Sequence, residues 1–400
     1  MRVCFVSRRF FPAISGMSIY AINLLRQLVA AGHDVTMVSQ FYGSPERRRV
    51  YGGGPPPPVP GVRVIGLEAL GEQDGGDFER DVDAMVFTIL REHGRKPFDL
   101  IHAQYGYPTG WAAMIAARRL GLPCVVSIQG GDGHWVGSCC ETHRLAMVRV
   151  LDHAGDLLIG GASFAAEVSE RLGTPVERFT IVPGAVDTDR FTPGEPRSGP
   201  VRLLYHGRVD RRKGVLDFLH ALAVTPGDWT ATVSGIGPDL EPARALACEL
   251  DLGDRVRFSG YADYEAAPDL YRAHDLFVSP TYAEGFSNTI LEAMASGHAV
   301  LSCRSVGVVD CLRDGENGML VEPGDVPALS QALALLIADA PLRARLAAAA
   351  LEECRRVYSW RTVGAQIMQV YADLLGRPQA PFDESLPVTP CRFRQEPHLL

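Results

Sequence analysis

Short apolar, β-branched runs alternate with amphipathic stretches along the first half of the chain. The run 3–7 has the composition of a buried strand, and the stretch 18–31 spaces its apolar residues as one face of a helix does. Strands joined by helices of this length must pair in parallel, with helices covering both faces of the sheet. We predict further strands over 34–39, 62–67, 100–103, 124–129 and 156–160, and helices over 78–93, 109–120, 141–153 and 163–172.

A second series of the same kind follows the Pro/Gly-rich segment 192–196, which we interpret as an interdomain linker. Its predicted strands are 202–206, 230–234, 256–259, 276–279 and 299–303, each followed by a helical stretch. The chain is therefore expected to form two doubly wound domains, 1–192 and 193–358, and a closing helix over 359–376. The last segment, 377–400, contains five prolines and is expected to be a disordered tail.

Composition narrows the class of protein. A hydrophobic share of 46% and a charged share of 22% are typical of a globular chain, and a net charge of −8 argues against nucleic-acid binding. No apolar run approaches the ~20 residues that span a bilayer, and no secretory leader pattern begins the chain, so we expect a cytoplasmic protein. The nine scattered cysteines contain no C-x-x-C pair and are expected to be reduced thiols. Cys139, Cys140 and His143 leave a metal site open as the less favoured alternative.

Ligands of open parallel sheets bind outside the carboxyl ends of the strands, so the loops there carry the candidate chemistry. The loop 8–17 places Gly16 before a helix, where the backbone can approach an anion closely. The loop 206–214 carries four basic residues, which would repel one another unless an anion is bound. The planar guanidinium of Arg208 and the point charge of Lys213 suit a diphosphate, although a solvated basic surface is the alternative.

The segment 279–294 comprises a third loop and the start of a predicted helix, and it contributes one carboxylate from the loop and one from the helix. Asn288 is expected to cap this helix, with the amides of residues 287–289 directed at a ligand phosphate. Glu292 falls on an otherwise apolar face, where a carboxylate needs hydrogen bonds that ligand hydroxyls could supply. Two ordinary surface glutamates, Glu284 and Glu292, remain the alternative.

Several motifs stand in an order that resembles the retaining glycosyltransferase family four, which includes glycogen synthase-like and sucrose synthase-like enzymes. The resemblance covers about residues 1–375 and implies the GT-B fold, in which two Rossmann-like, doubly wound parallel sheets face each other across an interdomain cleft. The motifs are Ile-Val-Pro-Gly-Ala-Val-Asp at 181–187, Gly-Arg at 207–208 with Lys-Gly at 213–214, Gly-Ile-Gly-Pro at 235–238, Glu284 with Glu292, and Asp-Gly-Glu-Asn-Gly at 314–318.

This resemblance implies a retaining transfer of a hexosyl-type sugar from a UDP- or GDP-linked donor to an acceptor hydroxyl. Glu284 would then hold the transferred sugar, and Glu292 the ribose. No D-x-D metal signature follows a suitable strand, so no cofactor and no obligatory metal are expected. The donor-binding residues implied are Gly16, Arg208, Lys213, Gly285, Phe286, Ser287, Asn288, Thr289 and Glu292; the catalytic ones are Glu284, Arg208, Lys213 and His134.

Two positions depart from the family's pattern. Gln129 stands where many relatives have a histidine, and it cannot act as a titrating base, so Asp132 or His134 could take part of that role. Val308 replaces a glycine and suggests a changed donor pocket.

His102 is predicted to be either an acceptor contact or a hydrogen-bonded core histidine.

The pattern leaves two other functions open: a sugar-nucleotide-binding protein without turnover, and a non-transferase GT-B enzyme such as a nucleotide-sugar epimerase. The donor's base, the acceptor and the oligomeric state are not predicted. Arg47, Arg48 and Arg49 give weak support for peripheral membrane contact.

Overall fold

The computed structural model describes residues 1–13, 15–43, 52–73, 75–130, 139–195 and 197–391. The chain divides into two compact units. The first comprises Met1–Pro183 together with the chain from Val363 onward, and the second comprises Gly184–Thr362.

The first unit is built on a seven-stranded sheet in which all neighbouring strands run parallel, in the order β3-β2-β1-β4-β5-β6-β7. Its central strand β1 is buried along its whole length, as its apolar composition requires. The strands are β1 Arg2–Ser7, β2 Asp34–Phe41, β3 Val62–Glu68, β4 Leu100–Gln104, β5 Cys124–Ile128, β6 Asp156–Ile159 and β7 Phe179–Ile181.

Among the described residues, six helices connect these strands. The first begins after Ser15, whose hydroxyl accepts a hydrogen bond from the backbone N–H of Ser18 and so caps the helix. The helices are α1 Gly16–Ala30, α2 Leu70–Gln73, α3 Phe78–Arg95, α4 Trp111–Leu120, α5 Glu141–His153 and α6 Ala162–Leu172.

The second unit repeats this plan with six parallel strands in the order β10-β9-β8-β11-β12-β13. Its strands are β8 Val201–His206, β9 Trp229–Ser234, β10 Val256–Gly260, β11 Leu276–Ser279, β12 Ala299–Cys303 and β13 Met319–Val321. Its helices are α7 Val215–Val224, α8 Leu240–Glu249, α9 Ala267–Arg272, α10 Asn288–Ala295, α11 Val326–Ala338 and α12 Ala340–Val357.

Each sheet has a point where the strand order reverses, between β1 and β4 in the first unit and between β8 and β11 in the second. Ligands of doubly wound sheets bind outside the carboxyl ends of the strands at such a point. The two doubly wound parallel sheets confirm the predicted fold class. They also direct attention to the loops that follow β1, β4, β8 and β11.

The last helix, α13, spans Trp360–Leu374, and its residues from Val363 onward belong to the first unit. The Tyr371 hydroxyl of this helix lies 2.5 Å from His102 Nδ1 on β4. No helix among the described residues combines the length and the apolar character needed to cross a membrane.

Two segments differ from the sequence-based expectation. Residues 184–192, which we expected in the first domain, pack in the second unit, because Val186 forms backbone hydrogen bonds with Tyr358 and Trp360 and the Phe191 ring enters that unit's core. Residues 377–391, expected to be disordered, lie against the first unit. The buried Phe382 ring contacts Trp111, with a 5.3 Å distance between ring centroids, which anchors a segment that has no regular structure of its own.

Candidate active site

Two loops meet at the reversal point of the second sheet. The Nζ of Lys213, on the loop after β8, lies 2.8 Å from the Glu284 Oε1 and donates a 3.1 Å hydrogen bond to the Ala283 carbonyl, both on the loop after β11. Gly214 permits this approach: its φ is +71°, and a Cβ there would lie 2.0 Å from the Pro280 carbonyl oxygen. The sequence prediction that Lys213 and Glu284 belong to one site is therefore consistent with their geometry.

The Gly-Ile-Gly-Pro segment after β9 supports the first of these loops from behind. A Cβ on Gly235 would lie 1.7 Å from the Gly207 carbonyl oxygen, and one on Gly237 would lie 2.2 Å from the Val209 carbonyl oxygen. The backbones of the two loops are thus in direct contact, and the Val209 N–H donates to the Ile236 carbonyl at 2.9 Å. These glycines position the backbone beside Arg208.

The basic loop is balanced by carboxylates of its own unit. Arg211 pairs with Asp239 at 2.7 Å, and Asp210 forms ion pairs with both Arg212, at 3.0 Å, and Arg208, at 3.3 Å. Burial alone would raise the pKa of Asp210, but its hydrogen bonds from Arg212 and the nearby guanidinium charges lower it below the usual value. The expectation that the four cations would repel one another without a bound anion is therefore wrong. With Glu284 included, four cations face three carboxylates, which leaves one net positive charge.

Helix α10 begins directly after the Glu284 loop. Ser287, not Asn288, is its N-terminal capping residue, with φ −90° and ψ 107°, and its hydroxyl makes no capping hydrogen bond. The predicted cap at Asn288 is corrected accordingly: Asn288 is the first helical residue. The first N–H groups of a helix have no intrahelical partner, so this terminus carries partial positive charge toward a ligand.

The Phe286 side chain is a packing group. Its ring lies 5.7 Å from the Tyr358 ring, and it fills the space that a Cβ on Gly184 would occupy. The donor-contact role that the resemblance implies for this residue is therefore assigned to its backbone.

Glu292 is buried in the second turn of α10, and its Oε2 accepts a 2.9 Å hydrogen bond from the Tyr271 hydroxyl. Burial raises the pKa of Glu292 to about 7, against the opposing effects of the Tyr271 hydrogen bond and the Arg190 charge. This excludes the alternative that Glu292 is an ordinary surface glutamate. Sequence reasoning missed Tyr271, because no pattern links a tyrosine on α9 to a carboxylate on the next helix.

Val308 does not line a pocket. It is fully buried in the core of the second unit, and its N–H donates to the Ser305 carbonyl at 3.1 Å. The suggestion that it changes the donor pocket through its side chain is wrong. The close approach in this segment is made by Gly307, where a Cβ would lie 2.3 Å from the Glu284 carbonyl oxygen.

In the first unit, a hydrogen-bonded group occupies the reversal point of the sheet. Gln104, at the end of β4, donates 2.9 Å and 3.3 Å hydrogen bonds to the Met17 carbonyl and the Gln129 Oε1, and its own Oε1 accepts from the Ser7 hydroxyl at 2.9 Å. Gly16 is the first residue of α1 beside this group. Gln104 was not predicted as a site residue.

Asp132 and His134, together with Arg47, Arg48 and Arg49, lie outside the described residues.

His102 is a core histidine. It is fully buried, with Nδ1 2.5 Å from the Tyr371 hydroxyl and Nε2 2.8 Å from the Ser127 hydroxyl. Burial lowers its pKa to about 3, so the imidazole is neutral. Both ring nitrogens are engaged within the protein, which removes His102 from the predicted acceptor contacts.

A small pocket lies at the carboxyl ends of β1 and β2 in the first unit. Arg8 is buried there and pairs with the buried Glu72 at 2.9 Å, while the Tyr42 hydroxyl donates to the same carboxylate at 2.7 Å. Its lining includes Arg9, Phe10, Gln40 and the backbone of Gly52–Gly54. The buried charge of Arg8 is therefore neutralised by Glu72.

Comparison with known proteins agrees with this arrangement. A family model described as glycosyl transferases group 1 matches residues 187–353, and one described as a glycosyl transferase 4-like domain matches residues 15–185. The chain is 28% identical to a glycogen synthase of Mycobacterium tuberculosis over 93% of this chain and 94% of that protein. It is also 28% identical to a D-inositol 3-phosphate glycosyltransferase of Xylanimonas cellulosilytica, over 90% of this chain and 92% of that protein.

Solved structures show the same fold. Sucrose-phosphate synthase from Thermosynechococcus elongatus superposes with a TM-score of 0.75 at 23% identity, covering 93% of this chain and 98% of that one. Anabaena Alr3699/HepE, solved in complex with UDP and glucose, superposes with a TM-score of 0.74 at 19% identity, covering 94% and 100%. Both family models describe glycosyl transferases and together they cover most of the chain, which is therefore a glycosyltransferase with the GT-B fold.

Proposed function

We propose that the protein transfers a hexosyl-type group, with retention of anomeric configuration, from a UDP- or GDP-linked sugar to an acceptor hydroxyl. The observation that carries this proposal is the 2.8 Å pair of Lys213 and Glu284 at the reversal point of the second sheet. A cation for the leaving group and a carboxylate for the sugar are thus adjacent, beside the N-terminus of α10.

The leaving diphosphate is assigned to Arg208, Lys213 and the first amides of α10. As the bond from the sugar to the diphosphate breaks, negative charge develops on the phosphate oxygens, and preorganised cations and N–H groups stabilise it. The intramolecular carboxylates hold these cations in place before the donor binds. We propose that the cations replace a catalytic metal ion at the diphosphate.

Glu284 and Glu292 are assigned to different parts of the donor. Glu284 is assigned to hydroxyls of the transferred sugar, where its negative charge also stabilises an oxocarbenium-like transition state. Glu292 is assigned to the ribose hydroxyls, which would donate to its buried carboxylate. The Tyr271 hydroxyl orients that carboxylate through its 2.9 Å hydrogen bond.

Retention is proposed to follow from attack of the acceptor hydroxyl on the face that the diphosphate leaves. A donor phosphate oxygen then accepts the proton of that hydroxyl. Gln129 fits this scheme, because an amide can hydrogen-bond a substrate hydroxyl but cannot remove its proton at neutral pH.

The acceptor is assigned to the first unit, with the pocket at the ends of β1 and β2 as its candidate site. Because Glu72 neutralises Arg8 there, hydrogen bonds to a polyhydroxylated acceptor suit the pocket better than a strong attraction to anions. The cytoplasmic location and the absence of nucleic-acid partners stay predictions.

The test combines R208A and K213A in one variant, with R211A as the matched control on the same loop. A panel of UDP- and GDP-sugars first identifies the donor by thermal shift, because a ligand at 100 times its Kd stabilises by about 2.7 kcal/mol. We expect the double variant to lose this shift and at least about a hundredfold in turnover of the donor. R211A should keep both, since Arg211 is exposed and paired with Asp239.

Retained donor turnover in a folded R208A/K213A variant would remove the diphosphate assignment. With the wild-type enzyme, NMR of the product should show the anomeric configuration of the donor. An inverted linkage would remove the proposal of retention.

A further inference from the structure

Four side chains that can ligate a metal ion converge in the first unit. They are Cys139, Cys140, His143 and Cys391, and their ligand atoms all lie within 4.8 Å of one another. His143 Nδ1 lies 2.8 Å from the Cys139 Sγ and 3.7 Å from the Cys391 Sγ. The imidazole nitrogen is thus surrounded by thiols.

The beginning of α5 fixes three of these residues. Cys140 is the N-terminal capping residue, and its Sγ accepts from the His143 N–H at 3.5 Å. His143 follows in the first helical turn, so its ring returns toward Cys139 and Cys140. This local geometry needs no contribution from the rest of the chain.

The fourth residue, Cys391, lies at the far end of the described chain. Cys391 is 248 residues beyond His143, on a segment without helix or strand. The N–H of Thr389 donates to the Thr142 hydroxyl at 3.0 Å, and the Thr142 hydroxyl in turn donates to the Pro387 carbonyl. These contacts place Cys391 beside the start of α5.

Two of the four side chains, His143 and Cys391, are shielded from solvent, and the two adjacent cysteines are half-buried. His143 is fully buried between the Phe78 and Tyr107 rings, at centroid distances of 5.1 Å and 4.6 Å, and Cys391 is 5% exposed. Within the described part of the chain, the buried His143 Nε2 has no hydrogen-bond partner. Hydrophobic packing alone does not account for a buried imidazole and three thiols in one place.

We propose that Cys139, Cys140, His143 and Cys391 bind one zinc ion in a closed, structural site. Three thiolates and one imidazole form a donor set that zinc binds tetrahedrally. Zn–S and Zn–N bonds of about 2.3 and 2.0 Å place neighbouring ligand atoms about 3.6–3.8 Å apart. The observed separations reach that geometry with shifts of about 1 Å or less.

Binding would release the thiol protons to solvent and leave no coordination position for a substrate. The ion's role is therefore to fasten the terminal segment to α5 rather than to take part in glycosyl transfer. The alternative chemistry of the same cluster is a disulfide between Cys391 and Cys139 or Cys140.

The test measures metal bound to the full-length protein after expression with zinc and removal of loosely bound ions. Elemental analysis should give about one zinc per chain, and cobalt substitution should give the charge-transfer and intense d–d bands of a tetrahedral thiolate site. C391S should lower zinc affinity more than about 100-fold, since even an outer-sphere partner is worth 10–100-fold. C248S is the matched control, because Cys248 is exposed and lies outside the cluster.

Wild-type protein without bound zinc, or C391S that binds zinc as tightly as C248S does, would overturn the proposal. A Cys391 disulfide found in unreduced peptides would overturn it as well. If C391S does not fold, the cobalt spectrum of the wild-type protein decides, because a spectrum without thiolate charge-transfer bands excludes these ligands. None of these readouts depends on glycosyl transfer.

Discussion

Glu292 lies in the second turn of α10 with its carboxylate against the Tyr271 hydroxyl. The sequence alone indicated that a carboxylate on an apolar face needs hydrogen-bond partners, but it could not supply Tyr271, which approaches from another helix. For His102, the strand pattern was equally compatible with an acceptor contact and with a hydrogen-bonded core histidine. The positions of Tyr371 and Ser127 show that it is a core histidine.

Glu292 should make stability depend on pH in a defined direction. Its pKa is about 7 in the folded protein against an ordinary value of 4.5, so the folded state disfavours the charged form. The wild-type protein should therefore lose roughly 3 kcal/mol of unfolding free energy relative to E292Q as pH rises from about 4.5 to 7. Urea unfolding of both proteins across this range measures the difference, and a difference that stays constant with pH would contradict the raised pKa.

At the scale of single elements, contacts between loop backbones, rather than between side chains, shape the candidate donor site. The loops after β8 and β9 touch through glycines, and the Gly-Ile-Gly-Pro motif was recognisable in the sequence only as part of a resemblance. Its physical reason is the 2.2 Å separation that a Cβ on Gly237 would have from the Val209 carbonyl oxygen. Such a contact depends on two loops that are distant in sequence, and no local pattern encodes it.

G237A should therefore destabilise the second unit by roughly 1–3 kcal/mol and weaken donor binding, because the added methyl group must displace the backbone next to Arg208. G94A is the control: Gly94 lies in helix α3, and a Cβ there meets no atom within 4 Å. Urea unfolding and donor thermal shift measure both effects. Equal behaviour of the two variants would show that the β8 and β9 loops are not in close contact.

At the scale of the whole molecule, the order of strands and helices was predictable because most of them are long enough to show the regular spacing of their apolar residues. Short elements are the exceptions: β7 and β13 have three residues each, α2 has four, and none of them shows a pattern. The packing of residues 184–192 with the second unit, the anchoring of Phe382 and the approach of Cys391 to α5 all depend on contacts between distant parts of the chain. Sequence reading therefore identified the family but not the packing of the closing segment, and the donor-site residues stay predictions.

The most direct test of the account is a crystal structure of the protein with its intact UDP- or GDP-sugar. We predict that the pyrophosphate oxygens lie about 2.7–3.2 Å from the Arg208 guanidinium and the Lys213 Nζ, with the ribose hydroxyls on Glu292. A pyrophosphate bound away from Arg208 and Lys213 would contradict the central assignment.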